Sequence, residues 1–292
     1  MLGTTDYLTD PFFGLRDSWL DTQPGEVTHL HDVGEGAPVV FLHGSGTGVS
    51  AAANWWLTLP SLEQSVRAIA IDLIGFGATI EAPETEYGIR EWCAHTLRVL
   101  DALGIEKAWL VGNSLGGWIA LQMAIDHPDR VLGVISMGTG GSAPTAAIKA
   151  HATPDTSFDG LRRSFELFVT DPALVADAMV RARQEIAEYE VESGRLDKVI
   201  AARERDRAAL PLSDVALAQL AAPVLLIHGV ADHVIPPSRT WELVNMIPTA
   251  DAVILNGCGH WSQIERADAF ANLVLEFVAG HWRRRATAES NN

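Results

Sequence analysis

Short runs of Val, Ile and Leu, each stopped by glycine or a polar residue, recur along this chain and alternate with helical patterns. Few folds accept that arrangement. Val39–Gly44 (VVFLHG) and Val66–Leu73 (VRAIAIDL) come first, then Lys107–Asn113 (KAWLVGN) and Val131–Met137 (VLGVISM). Pro223–Gly229 (PVLLIHG) and Ala252–Asn256 (AVILN) complete the series. A strand with one wet face alternates apolar and polar residues. A near-continuous apolar run reads as a strand buried on both faces, as in a parallel sheet. Between the runs, Ile89–Leu103 places apolar residues at three- and four-residue steps, the period of an amphipathic helix. Leu115–His127, which stops before Pro128, and Arg239–Ile247 and Ala267–Gly280 read as further helices. Strands alternating with helices predict an α/β fold, a mostly parallel sheet joined by right-handed crossovers.

The alternation breaks over residues 142–210, where only helical pieces occur: Phe158–Phe168, Pro172–Glu190 and Leu196–Ala209. The expected organisation is a core domain in two parts, 1–141 and 211–285. Residues 142–210 form a helical lid between them, with its apolar face toward the site, and 286–292 form a flexible polar tail. No internal repeat is present. At 292 residues the chain is long enough to bury a large core as one domain.

Charge and cysteine content exclude several classes. The formal net charge is −16, and the one basic run is Arg283, Arg284 and Arg285, so no nucleic-acid partner is expected. Two cysteines, Cys93 and Cys258, make neither a disulfide framework nor a zinc site. The N-terminus lacks a basic n-region, and no apolar stretch is long enough to span a bilayer. A soluble cytoplasmic protein acting on a small molecule, without metal or cofactor, is the expectation.

The chemistry concentrates at Gly112-Asn113-Ser114-Leu115-Gly116, a G-x-S-x-G sequence where a strand meets a helix. Such a turn holds the serine in a strained conformation and needs small neighbours so that the helix can pass close to the strand. A serine hydroxyl is a weak nucleophile and needs a base oriented by an acid, in the chain order Ser, acid, His for this motif. His260 follows the last apolar run and its Gly257-Cys258-Gly259 turn, which puts it at the same sheet edge as Ser114. His43 precedes the nucleophile and fits a different role, and His228 reads as a packing or hydrogen-bonding residue. Asp232 follows a strand between Ser114 and His260. Its competitors, Asp214 and Asp251, sit at the wrong edge. The oxyanion hole needs two amides: Leu115, after the nucleophile, and Ser45, in the loop His43–Gly48. In that loop Gly44 and Gly46 let the backbone approach the substrate closely.

With these residues in place the chain resembles the α/β-hydrolases, and within them the meta-cleavage product hydrolases, which cleave a carbon–carbon bond in 2-hydroxy-6-oxo-hexa-2,4-dienoates. The resemblance rests on HGSGTGVSAAANWW (43–56), AIDLIGFGAT (70–79), GNSLGGWIA (112–120), ADHVIP (231–236) and GCGHWSQIE (257–265). It spans residues 38 to 280. The chain departs from the family's common pattern at Thr47, where proline is usual. The resemblance implies that Asn54, Asn113, Trp261 and a lid arginine hold the dienoate carboxylate and 2-oxo group. Arg183 matches that arginine best, with Arg181 as the other candidate. It also implies a homodimer and a Ser114 acyl-enzyme formed after ketonisation of the dienol. A carboxylesterase using the same Ser, His and Asp is the alternative reading, and a non-catalytic binding protein a third. Serine at the elbow excludes the aspartate chemistry of related epoxide hydrolases and dehalogenases.

Overall fold

The computed structural model describes residues 11–141, 155–210 and 212–282. Residues 142–154, where the expected lid begins, and the expected tail lie outside that set. Eight strands form one sheet: β1 (Ser18–Gln23), β2 (Glu26–Val33), β3 (Pro38–Leu42), β4 (Arg67–Ile71), β5 (Ala108–Asn113), β6 (Val131–Met137), β7 (Val224–Gly229) and β8 (Ala250–Leu255). Their order is β1-β2-β4-β3-β5-β6-β7-β8. β1–β2 and β2–β4 pair antiparallel, and every other pair is parallel. The apolar runs predicted as strands are β3 to β8. The N-terminal hairpin was not foreseen.

Two apolar layers cover the sheet, as the period of two along each strand dictates. Val40, Leu42, Ile69, Ile71 and Leu110 face α3 (Ile89–Ala102) and α4 (Leu115–Asp126), where Trp92, Leu100 and Ile119 are fully or almost fully buried. Val39, Phe41, Ala68, Ala70 and Val111 face the other way, onto Trp55, Leu59, Phe270 and Val274. These come from the short helices α1 (Ala51–Trp55) and α2 (Leu59–Leu62) and from a long helix near the C-terminus.

Between β6 and β7 lie α5 (Phe158–Glu166), α6 (Asp177–Glu192), α7 (Arg195–Ala209) and α8 (Asp214–Leu217). Ser157 caps α5, accepting from the Gly160 amide at 3.1 Å. α9 (Ser238–Met246), α10 (Ser262–Glu265) and α11 (Ala267–Val278) complete the chain. Leu161, Phe165, Met179 and Val180 of α5 and α6 share a cluster with Trp261 and Ile264. Two polar anchors tie α7 to the core. Arg195 pairs with Glu81 at 2.9 Å and donates to Thr79 O at 2.8 Å. Asp206 accepts the Ile89 amide, the first of α3, at 2.6 Å. A first-turn amide has no partner inside its helix, so Asp206 supplies what α3 lacks. Among the described residues, no helix is long and apolar enough to cross a membrane.

β3 is flanked by β4 on one side and β5 on the other. The chain therefore reverses direction across the sheet there, and a crevice opens beyond the carboxyl ends of the strands. Asp72, fully buried just after β4, ties this edge together. Its Oδ1 accepts from Ala51 N at 2.6 Å, at the start of α1. Its Oδ2 accepts from Ala78 N at 2.9 Å and lies 2.8 Å from His29 Nδ1. Burial opposes charge on both partners. The His29 charge nevertheless holds Asp72 down at about 2, while Asp72 and Asp17 raise His29 to about 9. A histidine raised in the folded state stabilises fully below its ordinary 6.5, and that contribution is lost as pH climbs toward 9. The Asp72 contribution is present above its ordinary 3.8 and is lost as pH falls toward 2. Denaturant titrations between pH 6.5 and 9 are therefore expected to show the wild type losing about 3 kcal/mol that His29→Gln does not lose. Equal losses in both proteins would mean that His29 is neutral when folded.

Candidate active site

Ser114 joins β5 to α4 with φ +52° and ψ −106°, and it is the one non-glycine residue of positive φ among those described. Its neighbours leave no choice. A Cβ on Gly112 would sit 2.2 Å from the Gly116 carbonyl carbon, and one on Gly116 would sit 2.1 Å from Leu42 O. Only glycine lets α4 start this close to β5 and β3. The strain lifts Ser114 to the carboxyl edge, with the Leu115 amide, first of the helix, beside it.

The loop after β3 lies against this elbow. A Cβ built on Gly44 would be 3.0 Å from Asn113 Oδ1 and 3.6 Å from Ser114 Cβ. Buried His43 fixes the loop from below. Its Nε2 accepts the Leu73 amide at 3.1 Å, so Nδ1–H donates to Gly44 O at 2.6 Å. Burial lowers the His43 pKa, which favours the neutral ring this arrangement needs.

His260 Nδ1 lies 2.7 Å from Asp232 Oδ2. Asp232 Oδ1 accepts from Val234 N at 2.8 Å and Ile235 N at 2.9 Å. The same Oδ2 is 3.2 Å from His228 Nε2, which also reaches Ile235 O at 2.9 Å. Thr240 Oγ1 lies 2.7 Å from His228 Nδ1. Burial raises the pKa of the Asp232 carboxyl. The charge and hydrogen bonds of His260 and His228 outweigh that and hold it far below the usual carboxylate range. Gly138, with φ +52°, lets the loop after β6 pass over the pair: a Cβ there would be 2.9 Å from the His260 ring. Of the competing acids, Asp214 is exposed on α8, and Asp251 pairs with Leu225 near the opposite end of the strands.

A cavity of about 400 Å³ opens beside Ser114, bordered by Gly44, Ser45, Gly46, Asn54, Asn113, Arg183, His260 and Trp261. Asn54 is carried by α1, whose N-cap Ser50 accepts from Ala53 N at 3.1 Å. Asn54 and Asn113 are buried, and the Nδ2 of each has no protein partner. Arg183 is buried on α6. It donates to Thr47 O at 2.9 Å and Gly48 O at 3.2 Å, and lies over the rings of Phe165 and Trp261. Burial lowers its pKa to about 9, still charged at neutral pH. Arg181 is exposed over Phe158 and does not border the cavity.

Of the cavity residues that sequence reasoning missed, two are Glu190 and Arg203. Glu190 accepts Gly48 N at 2.9 Å through Oε2, leaves Oε1 without a partner, and is pushed up to about 8 by burial. It stands two turns after Arg183, so helical spacing alone places both on one face. Arg203 of α7 is the second; the stripe Leu196, Val199, Ile200 points to it at the same spacing. Elsewhere, Asp17, His29 and His31 bring three ligand-type atoms within 4.8 Å of one another. His29 is already held between Asp17 and Asp72, and His31 Nδ1 donates to Arg16 O at 2.9 Å. That site is empty.

Residues 37–267 match the family model for the alpha/beta hydrolase fold. The 2-hydroxymuconate semialdehyde hydrolase of Pseudomonas sp. (strain CF600) is 40% identical, over 86% of this chain and 90% of that one. The 2-hydroxy-6-oxo-2,4-heptadienoate hydrolase of Pseudomonas putida is 36% identical, over 87% and 94%. Among solved structures, a meta-cleavage product hydrolase from Pseudomonas fluorescens IP01, complexed with acetates, superposes with a TM-score of 0.83. It is 37% identical and covers 90% of this chain and 97% of its own.

Proposed function

The chain belongs to the α/β-hydrolases and, within them, to the meta-cleavage product hydrolases, and from that premise we propose that it cleaves the C5–C6 bond of a 2-hydroxy-6-oxo-hexa-2,4-dienoate with Ser114, His260 and Asp232. The observation that carries the reading is the set of buried donors around Ser114, two side-chain amides without partners and an arginine whose hydrogen bonds go to backbone carbonyls. Asn54 Nδ2 and Asn113 Nδ2 are buried and unpartnered, and Arg183 makes no ion pair among the described residues. Buried donors without acceptors are costly, so their ligand carries several oxygens and a negative charge. A dienoate carboxylate and its 2-oxygen meet that demand. A neutral ester does not.

In this reading the dienol ketonises first, placing a proton on C5 and making the dienoate fragment a stabilised carbanion leaving group. His260 takes the Ser114 proton, and Ser114 Oγ attacks C6. The amides of Leu115 and Ser45 receive the charge that develops on the ketone oxygen. Asp232 holds His260 in the tautomer that leaves Nε2 free to accept, and stabilises the imidazolium. The C5–C6 bond then breaks, and water, activated by His260, releases the acyl group. The products are 2-hydroxypenta-2,4-dienoate and a carboxylic acid. The described helices α5, α6 and α7, the lid of this proposal, exclude water while the acyl-enzyme forms.

The test is the charge dependence of recognition. Arg183→Gln is expected to lower kcat/KM on a dienoate by roughly 2–5 kcal/mol in transition-state terms, and to affect p-nitrophenyl acetate far less. Equal falls, or none, remove Arg183 as the carboxylate clamp. A wild type that hydrolyses the ester and ignores every dienoate is a carboxylesterase.

A further inference from the structure

The loop that carries His260 is held from two sides. Up to Cys258 it belongs to the core. Cys258 O accepts the Ala231 amide at 2.9 Å, and a Cβ on Gly229 would sit 2.2 Å from Gly259 O, so the loop presses on the end of β7. Beyond Cys258 its amides turn elsewhere. Glu265, the last residue of α10, accepts the Gly259 amide through Oε2. Its Oε1 accepts the Thr170 amide at 2.6 Å and the Thr170 hydroxyl at 2.5 Å. That hydroxyl also lies 3.3 Å from Gly257 O. Trp261 N donates to Phe168 O at 3.1 Å. Phe168 and Thr170 belong to the segment that joins α5 to α6. The amides immediately before and after His260 are thus both fixed by residues 168–170, one directly and one through a carboxylate. A Cβ on Gly259 would be 2.7 Å from Phe168 O, so only glycine allows this approach.

The side chains repeat the arrangement. The Phe168 ring lies 5.8 Å from that of His260 and 4.8 Å from that of Trp261, centroid to centroid, and borders the cavity. Asp232 fixes one nitrogen of the His260 ring. Where the other nitrogen points is set by the backbone of residues 259–261. We propose that Glu265 is a positioning residue for the base: it ties segment 168–170 to the His260 loop, so that His260 is aimed at Ser114 only while α5 and α6 are seated. The inference rests on the proposed function, from which it takes Ser114, His260 and Asp232 but not the substrate. Glu265 suits the task because a carboxylate offers acceptor sites on both oxygens, and its donors come from the two segments it joins. Covering the cavity and assembling the base are then one event. Water is excluded at the moment when Ser114 becomes reactive.

A fluorophosphonate that labels Ser114 tests this without reference to the substrate, because its rate reads how well His260 activates the serine. Glu265→Ala is expected to slow labelling about a hundredfold, the effect of displacing a catalytic group by about an ångström. On a dienoate, kcat is expected to fall by a similar factor while KM stays within about threefold, since Arg183, Asn54 and Asn113 are untouched. Thr170→Val removes the hydroxyl from the lid side and leaves Glu265 on Gly259. It is expected to slow labelling about tenfold, and Thr170→Ser to restore the rate. Three results overturn the proposal. The first is labelling of Glu265→Ala at the wild-type rate. The second is a rise in KM without a fall in kcat, which would make the link a support for the cavity wall. The third is an unchanged Thr170→Val beside a slowed Glu265→Ala, which would confine Glu265 to the Gly259 turn. If Glu265→Ala does not fold, Thr170→Val and Thr170→Ser decide the matter. A wild type that the probe does not label would defeat Ser114 as nucleophile, and this inference with it. Normal labelling with no turnover of any dienoate would defeat the substrate reading alone and leave this inference to stand on the labelling rates.

Discussion

Ser114→Ala is expected to lower kcat on a dienoate by at least about a thousandfold while the thermal unfolding midpoint stays near that of the wild type. The two halves of this result have separate causes. Alanine and serine suffer alike at φ +52°, and Gly112, Gly116 and the Met137 carbonyl, which accepts the Ser114 amide at 2.8 Å, impose the elbow whichever is present. The variant keeps the cavity, Arg183 and both asparagines, so it still binds substrate. It lacks the oxygen that forms the acyl-enzyme. Stopped-flow absorbance at the dienolate band would show binding without release of product. Turnover close to wild type would remove Ser114 from the mechanism.

Asp232→Asn is expected to cost about ten-thousandfold in kcat with the fold retained, through a tautomer rather than a lost contact. The Val234 and Ile235 amides both donate to Oδ1, so an asparagine must keep its oxygen there. Its Nδ2 then replaces Oδ2 and faces two ring nitrogens, His260 Nδ1 at 2.7 Å and His228 Nε2 at 3.2 Å. To accept from that NH2 group, His260 must move its proton to Nε2, and it can no longer take the Ser114 proton. His228 must either give up Ile235 O or confront a second donor. Asp214→Asn, on exposed α8, is the control and should leave the rate alone. Near-normal turnover in Asp232→Asn, with a loss in Asp214→Asn, would mean that the acid lies on the other loop.

The parallel strands were legible because burial on both faces writes itself as uninterrupted Val, Ile and Leu. The hairpin was not. β1 and β2 read SWLDTQ and EVTHLHDV, polar and apolar residues interleaved, and a search for continuous apolar runs passes over them despite Pro24-Gly25 at the turn. α1 is five residues long, too short for helical periodicity to register, so Asn54 entered through resemblance alone. Ser114, Asp232 and His260 were readable because each stands directly after a strand or its turn, and chain order fixed which loop carries which. His228 was read as a hydrogen-bonding residue, and its contact with Asp232 depends on the turn at 230–235, which no local pattern specifies. Arg203 and Glu190 escaped because on a solvated-looking helix a charged residue carries no mark of the face it occupies. Only docking of α6 and α7 over the sheet decides that.

The hydrogen bond between Asp206 and the Ile89 amide makes one helix of the core and one helix above the cavity a single unit of protection against exchange. While α7 is docked, the Ile89 amide is shielded by a buried carboxylate. When α7 lifts, that amide meets water, and α3 loses the negative charge at its positive end. Opening the cavity on this side is thus a partial unfolding with a free-energy cost shared between two elements. Arg195, joined to Glu81 and Thr79 at the other end of α7, raises that cost further. α6 is anchored to the core in a similar way, by Arg183 on the Thr47 and Gly48 carbonyls and by Glu190 on the Gly48 amide.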